Sequence, residues 1–155
     1  ILKDRGLKLP DIQAVIAAMD PHEGALEFLE WIRSVTQILV VSDTFVEFAG
    51  PLMKKLGYPT LLCNTLTVAT DGTIYDYRLR QTDGKRKVAE AMRSLNYRVI
   101  GVGDSYNDIS MLTAADHGIL YCPPDNVRRE HPAFPVATDF AELKSMIATI
   151  LRSGG

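Results

Sequence analysis

Short runs of β-branched and aliphatic residues alternate along this chain with longer segments whose apolar residues recur at helical spacing, and this alternation constrains the fold more than any other feature. Such a chain lays its strands side by side in parallel and carries its helices across the sheet, an α/β fold. The spacing predicts helices from Leu9 to Met19 and from Gly24 to Val35, divided by the Pro21-His22-Glu23-Gly24 turn. A core strand follows from Ile38 to Val41, a helix from Thr44 to Leu56 closed by Gly57, and a second strand from Pro59 to Cys63. The period then changes to two on either side of Thr70-Asp71-Gly72-Thr73, which predicts a β-hairpin from Leu66 to Leu79 with an Asp-Gly turn. Beyond it come a helix from Lys85 to Leu95, a strand from Arg98 to Gly103, a helix from Asn107 to Ala114, a strand from Gly118 to Tyr121 and a closing helix from Asp139 to Leu151.

With 155 residues the chain is long enough to bury a core without disulfides or metal staples. Its 17 basic and 19 acidic residues leave a net charge of -2, without the basic excess that gripping a nucleic-acid backbone requires. Ala14 to Met19 is the longest uninterrupted apolar run, far short of a membrane span, so neither nucleic acid nor membrane is an expected partner and a cytoplasmic location is the default. Cys63 and Cys122 each sit in an apolar stretch and read as small buried hydrophobes; His22, His117 and His131 are scattered, which leaves a structural zinc no ligand set.

In an open α/β sheet, ligands collect at the carboxyl ends of the parallel strands, where loops and helix amino termini face one crevice. Ser42 and Asp43 stand at the end of the first core strand, Asp104, Asn107 and Asp108 at the end of the third, and Lys85 opens the helix between them. A hydroxyl beside free helix N–H groups, together with a lysine, makes a phosphate cradle, and paired carboxylates without histidines suit a hard Mg²⁺. Each piece also has a local explanation. Thr44-x-x-Glu47 and Ser105-x-x-Asp108 both fit capping boxes, and Asp104 fits a solvated turn. Lys85, Arg86 and Lys87 put three cations in a helix's first turn against its dipole, a conflict that either a bound anion or solvent screening relieves.

The string Gly103-Asp-Ser-Tyr-Asn-Asp-Ile-Ser-Met-Leu, continued by Ala115 and Gly118-Ile119, resembles the fourth motif of the haloacid dehalogenase superfamily in its phosphoserine phosphatase branch. Val40-Val41-Ser42 resembles the second motif, and Lys85 occupies the place of the third-motif lysine. The branch's usual glycines are replaced by Asp43-Thr44-Phe45 and by Ser105-Tyr106. Together with Pro59 to Cys63 and Tyr75 to Gln81, these make the chain similar to the subgroup that both hydrolyses phosphoserine and passes its phosphate to homoserine. The resemblance implies a three-layer α/β/α Rossmann-like core with a parallel sheet and a β-hairpin, joined to the remnant of a helical cap. It also implies a Mg²⁺-dependent enzyme that works through an aspartyl-phosphate. Ser42, the N–H of Asp43, Lys85 and Asn107 would hold substrate and phosphate. Asp104 would ligate Mg²⁺, and Asp108 would act in catalysis beside Lys85.

The superfamily's first motif, Asp-x-Asp/Glu-Gly, supplies the nucleophile, and these 155 residues do not contain it. Asp71-Gly72-Thr73 is a decoy: it puts Ala69 where the nucleophile belongs and follows Ser42 instead of preceding it. Residues 1–19 are accordingly expected to be the end of the cap and residues 20–155 the core without its first strand. Two functional readings follow. One is a phosphoserine phosphatase or phosphotransferase, inactive as this chain stands. The other is a non-catalytic phosphate-binding or assembly module. The hairpin reads equally as a homodimer contact or a surface flap.

Overall fold

A computed structural model describes residues 8–153 and divides the chain into two units, Ile1–Thr82 and Asp83–Gly155. The first unit holds α1 (Leu9–Ala18), α2 (Ala25–Val35), β1 (Leu39–Phe45), α3 (Val46–Lys55), β2 (Thr60–Val68) and β3 (Ile74–Arg78). Its sheet runs β1-β2-β3, with β1 parallel to β2 and β3 antiparallel to it. The second unit holds α4 (Gly84–Ser94), β4 (Ile100–Gly103), α5 (Tyr106–Ala114), β5 (His117–Tyr121), α6 (Asp125–Glu130), β6 (Val136–Ala137) and α7 (Phe140–Arg152). Its sheet, β4-β5-β6, is parallel throughout. The α/β class with parallel sheets is therefore as expected.

Three local differences bear on the site. The regular ladder between β1 and β2 pairs Val41 with Leu62 and resumes only at Phe45 opposite Asn64, so Ser42, Asp43 and Thr44 bulge at the end of β1. That bulge delays the helix: α3 starts at Val46, not at Thr44, and Glu47 does not cap it, since its Oε2 accepts the Leu66 N–H at 2.9 Å. Pro59 to Cys63 and the first hairpin strand are one continuous strand, β2, parallel to β1 in its first half and antiparallel to β3 in its second. The polar Asn64-Thr65 pair looks like a break, but Asn64 is buried and its side-chain amide is fully used. The hairpin turn itself is as expected, with Gly72 at φ +85° and Ala69 N–H donating to Thr73 O at 2.9 Å.

Proline at position 51 lies inside α3 and has no N–H to give the carbonyl of Glu47, four residues earlier. The Gln13 side chain, from α1, donates to that carbonyl at 2.7 Å. At the other end of the contact, Leu9 N–H donates to Gly72 O at 2.9 Å and Lys8 pairs with Asp71 at 2.9 Å, so α1 is tied to both α3 and the hairpin tip.

In the second unit, Leu112 of α5, Leu120 of β5 and Val127 of α6 form the fully buried centre, with Ile109, Met111, Phe134 and Val136 against them. Each such side chain withdrawn from water contributes about 1.5–3 kcal/mol. No element was expected between Tyr121 and Asp139, where α6 and β6, six and two residues long, are too short for a period to register. Cys63 is buried as expected; Cys122 is exposed, with φ +45° and its Sγ donating to Thr138 O at 3.0 Å, because the chain turns there out of β5.

Candidate active site

β4 delivers Gly103 and Asp104 at its carboxyl end, and Ser105 begins α5. Helix and strand approach so closely that Gly103 has no room for a side chain: a Cβ there would lie 2.3 Å from the Cβ of Asp108. Asp108, in the first turn of α5, is 6% exposed and folds back over the strand end. Its Oδ2 accepts the Asp104 N–H at 3.0 Å, the Ser105 N–H at 3.1 Å and the Ser105 hydroxyl at 3.0 Å. Its Oδ1 accepts Lys85 Nζ at 2.8 Å, with the lysine side chain itself only 15% exposed. Burial alone would push this carboxyl up. The hydrogen bond from Lys85 and those from the Asp104 and Ser105 backbone outweigh burial and hold the acid below its ordinary range. The helix-start reading of Ser105-x-x-Asp108 and the ion-pair reading thus describe the same carboxylate.

Lys85, Asp104, Asn107 and Asp108 are brought together in this unit, with Asp104 and Asn107 exposed beside the buried pair. The three cations of α4 do not by themselves require an external anion. Lys85 is met by Asp108, and Arg86 by both Asp83 and Glu90. Two contributors lay beyond the sequence reading: Asp83 precedes α4, and its Oδ1 accepts the hydroxyl of Ser110, from α5, at 2.8 Å.

Ser42 and Asp43 belong to the first unit. In the bulge, Ser42 Oγ accepts the Thr44 N–H at 3.2 Å, and the Asp43 carbonyl accepts Asn64 Nδ2 at 3.0 Å. Asn64 Oδ1 in turn accepts the Arg80 N–H at 3.0 Å, while Arg80 Nε donates to Cys63 O at 2.9 Å. Asn64 was also missed; its position directly after the apolar Leu61-Leu62-Cys63 run was its only signal.

The exposed Asp104 carboxylate is the charged oxygen donor open to a hard cation here, with the exposed Asn107 amide three residues on. Asp108 is saturated by its four donors, and no group of three or more His, Cys, Asp or Glu able to hold a metal occurs among the described residues. The residues present therefore fit part of a Mg²⁺ site and not a whole one. A groove of the second unit, about 730 Å³ and lined by Leu112, His117, Phe134, Met146 and Ile150 among others, lies at the amino end of β5 and includes none of these residues.

Residues 2–116 match the haloacid dehalogenase-like hydrolase family. A phosphoserine phosphatase of Pseudomonas syringae pv. tomato is 54% identical over 93% of this chain, which spans 61% of that protein's length. Phosphoserine phosphatase ThrH of Pseudomonas aeruginosa is 51% identical over 93% of the chain and 70% of its own length. A substrate-bound phosphoserine phosphatase structure shares the fold, with a TM-score of 0.75 at 24% identity over 90% of this chain and 70% of that one. The chain belongs to the haloacid dehalogenase-like hydrolases, in the branch of the phosphoserine phosphatases.

Proposed function

We propose that these residues form the phosphate-holding part of a Mg²⁺-dependent phosphoserine phosphatase, which converts phosphoserine to serine and phosphate through an aspartyl-phosphate. The observation that carries the proposal is the Lys85–Asp108 pair, nearly buried and 2.8 Å apart at the strand end. An ammonium fixed in this way keeps its charge and its direction, and so can offset a phosphoryl dianion without reorganising. Two relatives more than half identical, both named phosphoserine phosphatases, support the substrate. In this reading Lys85 binds the phosphoryl oxygens and Asp108 holds Lys85 in place. Ser42 Oγ and the Asp43 N–H are phosphate donors in this reading, and Asn107 donates to substrate. Mg²⁺, when bound, supplies charge neutralisation at the phosphoryl group, and Asp104 is one of its ligands. Homoserine as a second acceptor of the phosphoryl group, homodimer formation through the hairpin and a cytoplasmic location belong to the same proposal; among the described residues no helix is long and apolar enough to cross a membrane.

The alternative reading is a phosphate-binding module without turnover, and the two differ in whether the superfamily's first motif, Asp-x-Asp/Glu-Gly, acts together with these residues. Phosphate release from phosphoserine, measured for these 155 residues and for the same residues joined to a front segment carrying that motif, separates the two. Turnover only in the joined protein is the expected result. Equal turnover in both would refute the role given to the missing carboxylate, and none in either would favour the binding module.

A further inference from the structure

Asp83 precedes α4 at the position where an aspartate ordinarily accepts an N–H from its own helix's first turn, an arrangement that stabilises a helix by about 1 kcal/mol. Here it makes no such bond. Its backbone is instead left-handed, at φ +52° and ψ +48°, an unusual conformation for a residue with a side chain. The carboxylate is turned away from its helix's backbone N–H groups: Oδ2 accepts the Arg86 side chain of the same first turn, which also reaches Glu90, and Oδ1 accepts the Ser110 hydroxyl at 2.8 Å. The Arg86 pair is local to α4 and accounts for Oδ2; the direction of Oδ1 is not explained by chemistry within α4.

The contact across to α5 does account for it. Asp83 meets Ser110, and two residues on, Lys85 meets Asp108, two residues back. The start of α4 is thus cross-linked to the first turns of α5 by two rungs, one bearing the Lys85 ammonium and the other fixing the backbone from which Lys85 departs. A lysine side chain has four rotatable bonds and about 2 kcal/mol of rotamer entropy, so an unanchored helix start would let the ammonium wander from Asp108.

We infer that Asp83, through Ser110, is a positioning residue that aims Lys85 at the phosphoryl site. The inference rests on the phosphate-binding role proposed for Lys85, and its test separates the two. The nitrogen-edited NMR signals of lysine ammonium groups are recorded for the chain, with Lys85 assigned by its loss in Lys85→Met, because a bridged ammonium exchanges slowly with water. Inorganic phosphate binding is measured by calorimetry in parallel. Asp83→Ala and Ser110→Ala are expected to broaden or abolish the Lys85 signal and to weaken phosphate binding about ten- to a hundredfold, the effect of losing one hydrogen bond to a charged group. Ser110→Thr, which keeps the hydroxyl, restores both. A Lys85 signal that stays sharp in both alanine variants, with phosphate affinity unchanged or with only the melting temperature lowered, would overturn the inference. Should Asp83→Ala fail to fold, Ser110→Ala decides, since it removes a single hydroxyl. If Lys85→Met binds phosphate like the parent, the proposed role of Lys85 fails, and the ammonium signal alone decides whether Asp83 positions it.

Discussion

Replacing Gly103 with alanine tests how closely β4 and α5 must approach to build the site. The added Cβ would lie 2.3 Å from Asp108 Cβ, 2.5 Å from its Cγ and 2.8 Å from its Oδ2. Carbon atoms pack best at about 3.5–4.0 Å, so roughly 1 Å or more of separation must be found. Asp108 Cβ cannot swing clear, because it is bonded directly to the α5 backbone, and the helix start must therefore lift off the strand end. Overpacking of this kind costs about 1–3 kcal/mol. Stretching the bonds from Asp104 and Ser105 to Asp108 Oδ2 adds about 0.5–1.5 kcal/mol for each one lost. A total near 2–6 kcal/mol is expected from urea unfolding followed by circular dichroism. Gly50→Ala is the control: beyond its chain neighbours and its own helix backbone a Cβ there meets nothing within 4 Å, and the gain in helix propensity, about 1 kcal/mol, is offset by crowding against the following Pro51, so the net change should stay below about 1 kcal/mol. If Gly103→Ala unfolded within about 0.5 kcal/mol of the parent and kept its Lys85 ammonium signal, the close-approach argument would be refuted.

Gln13→Leu leaves the Glu47 carbonyl without the donor that Pro51 cannot provide, and should raise proteolytic cleavage within α1 while leaving the second unit's protection unchanged. Asn64→Leu removes the bond from Asn64 Nδ2 to the Asp43 carbonyl and the acceptor of the Arg80 N–H, and should destabilise the first unit by about 1–3 kcal/mol in thermal unfolding. The Asp71 carboxyl is held down to about 2 by Lys8 and by the N–H and hydroxyl of Thr73. Its folded-state value lies below the unfolded one, so the tie between α1 and the hairpin is fully present above about pH 4 and lost as pH falls toward 2. The Leu9 amide NMR shift should accordingly be flat from about pH 8 to pH 5 and move only below about pH 4, and a midpoint near pH 6 would contradict the assignment.

The site was most legible where chemistry and local structure coincide. Asp104, Asn107 and Asp108 follow a strand within five residues, and Lys85 sits in a helix's first turn, so spacing alone put them at one edge. What sequence could not show depends on contacts between distant segments. Asp83 carries no signal of its own in the sequence, and its place shows only when Ser110, 27 residues away, is seen to meet its carboxylate. Glu47 reads as a cap until the Leu66 N–H claims it. Asn64 looks like the end of a strand because its partners, Asp43 and Arg80, lie 21 and 16 residues off. The short α6 and β6 carry too few residues for any period to register.

The central claim is that Lys85, fixed by Asp108, holds the phosphoryl group of phosphoserine. Its most direct test is the rate of phosphate release from phosphoserine by the chain joined to a front segment bearing Asp-x-Asp/Glu-Gly, compared between Lys85 and Lys85→Met. Loss of a preorganised charge at the transferring group should lower kcat by about 10²-fold or more. A Lys85→Met protein that releases phosphate at the parent rate would contradict the claim.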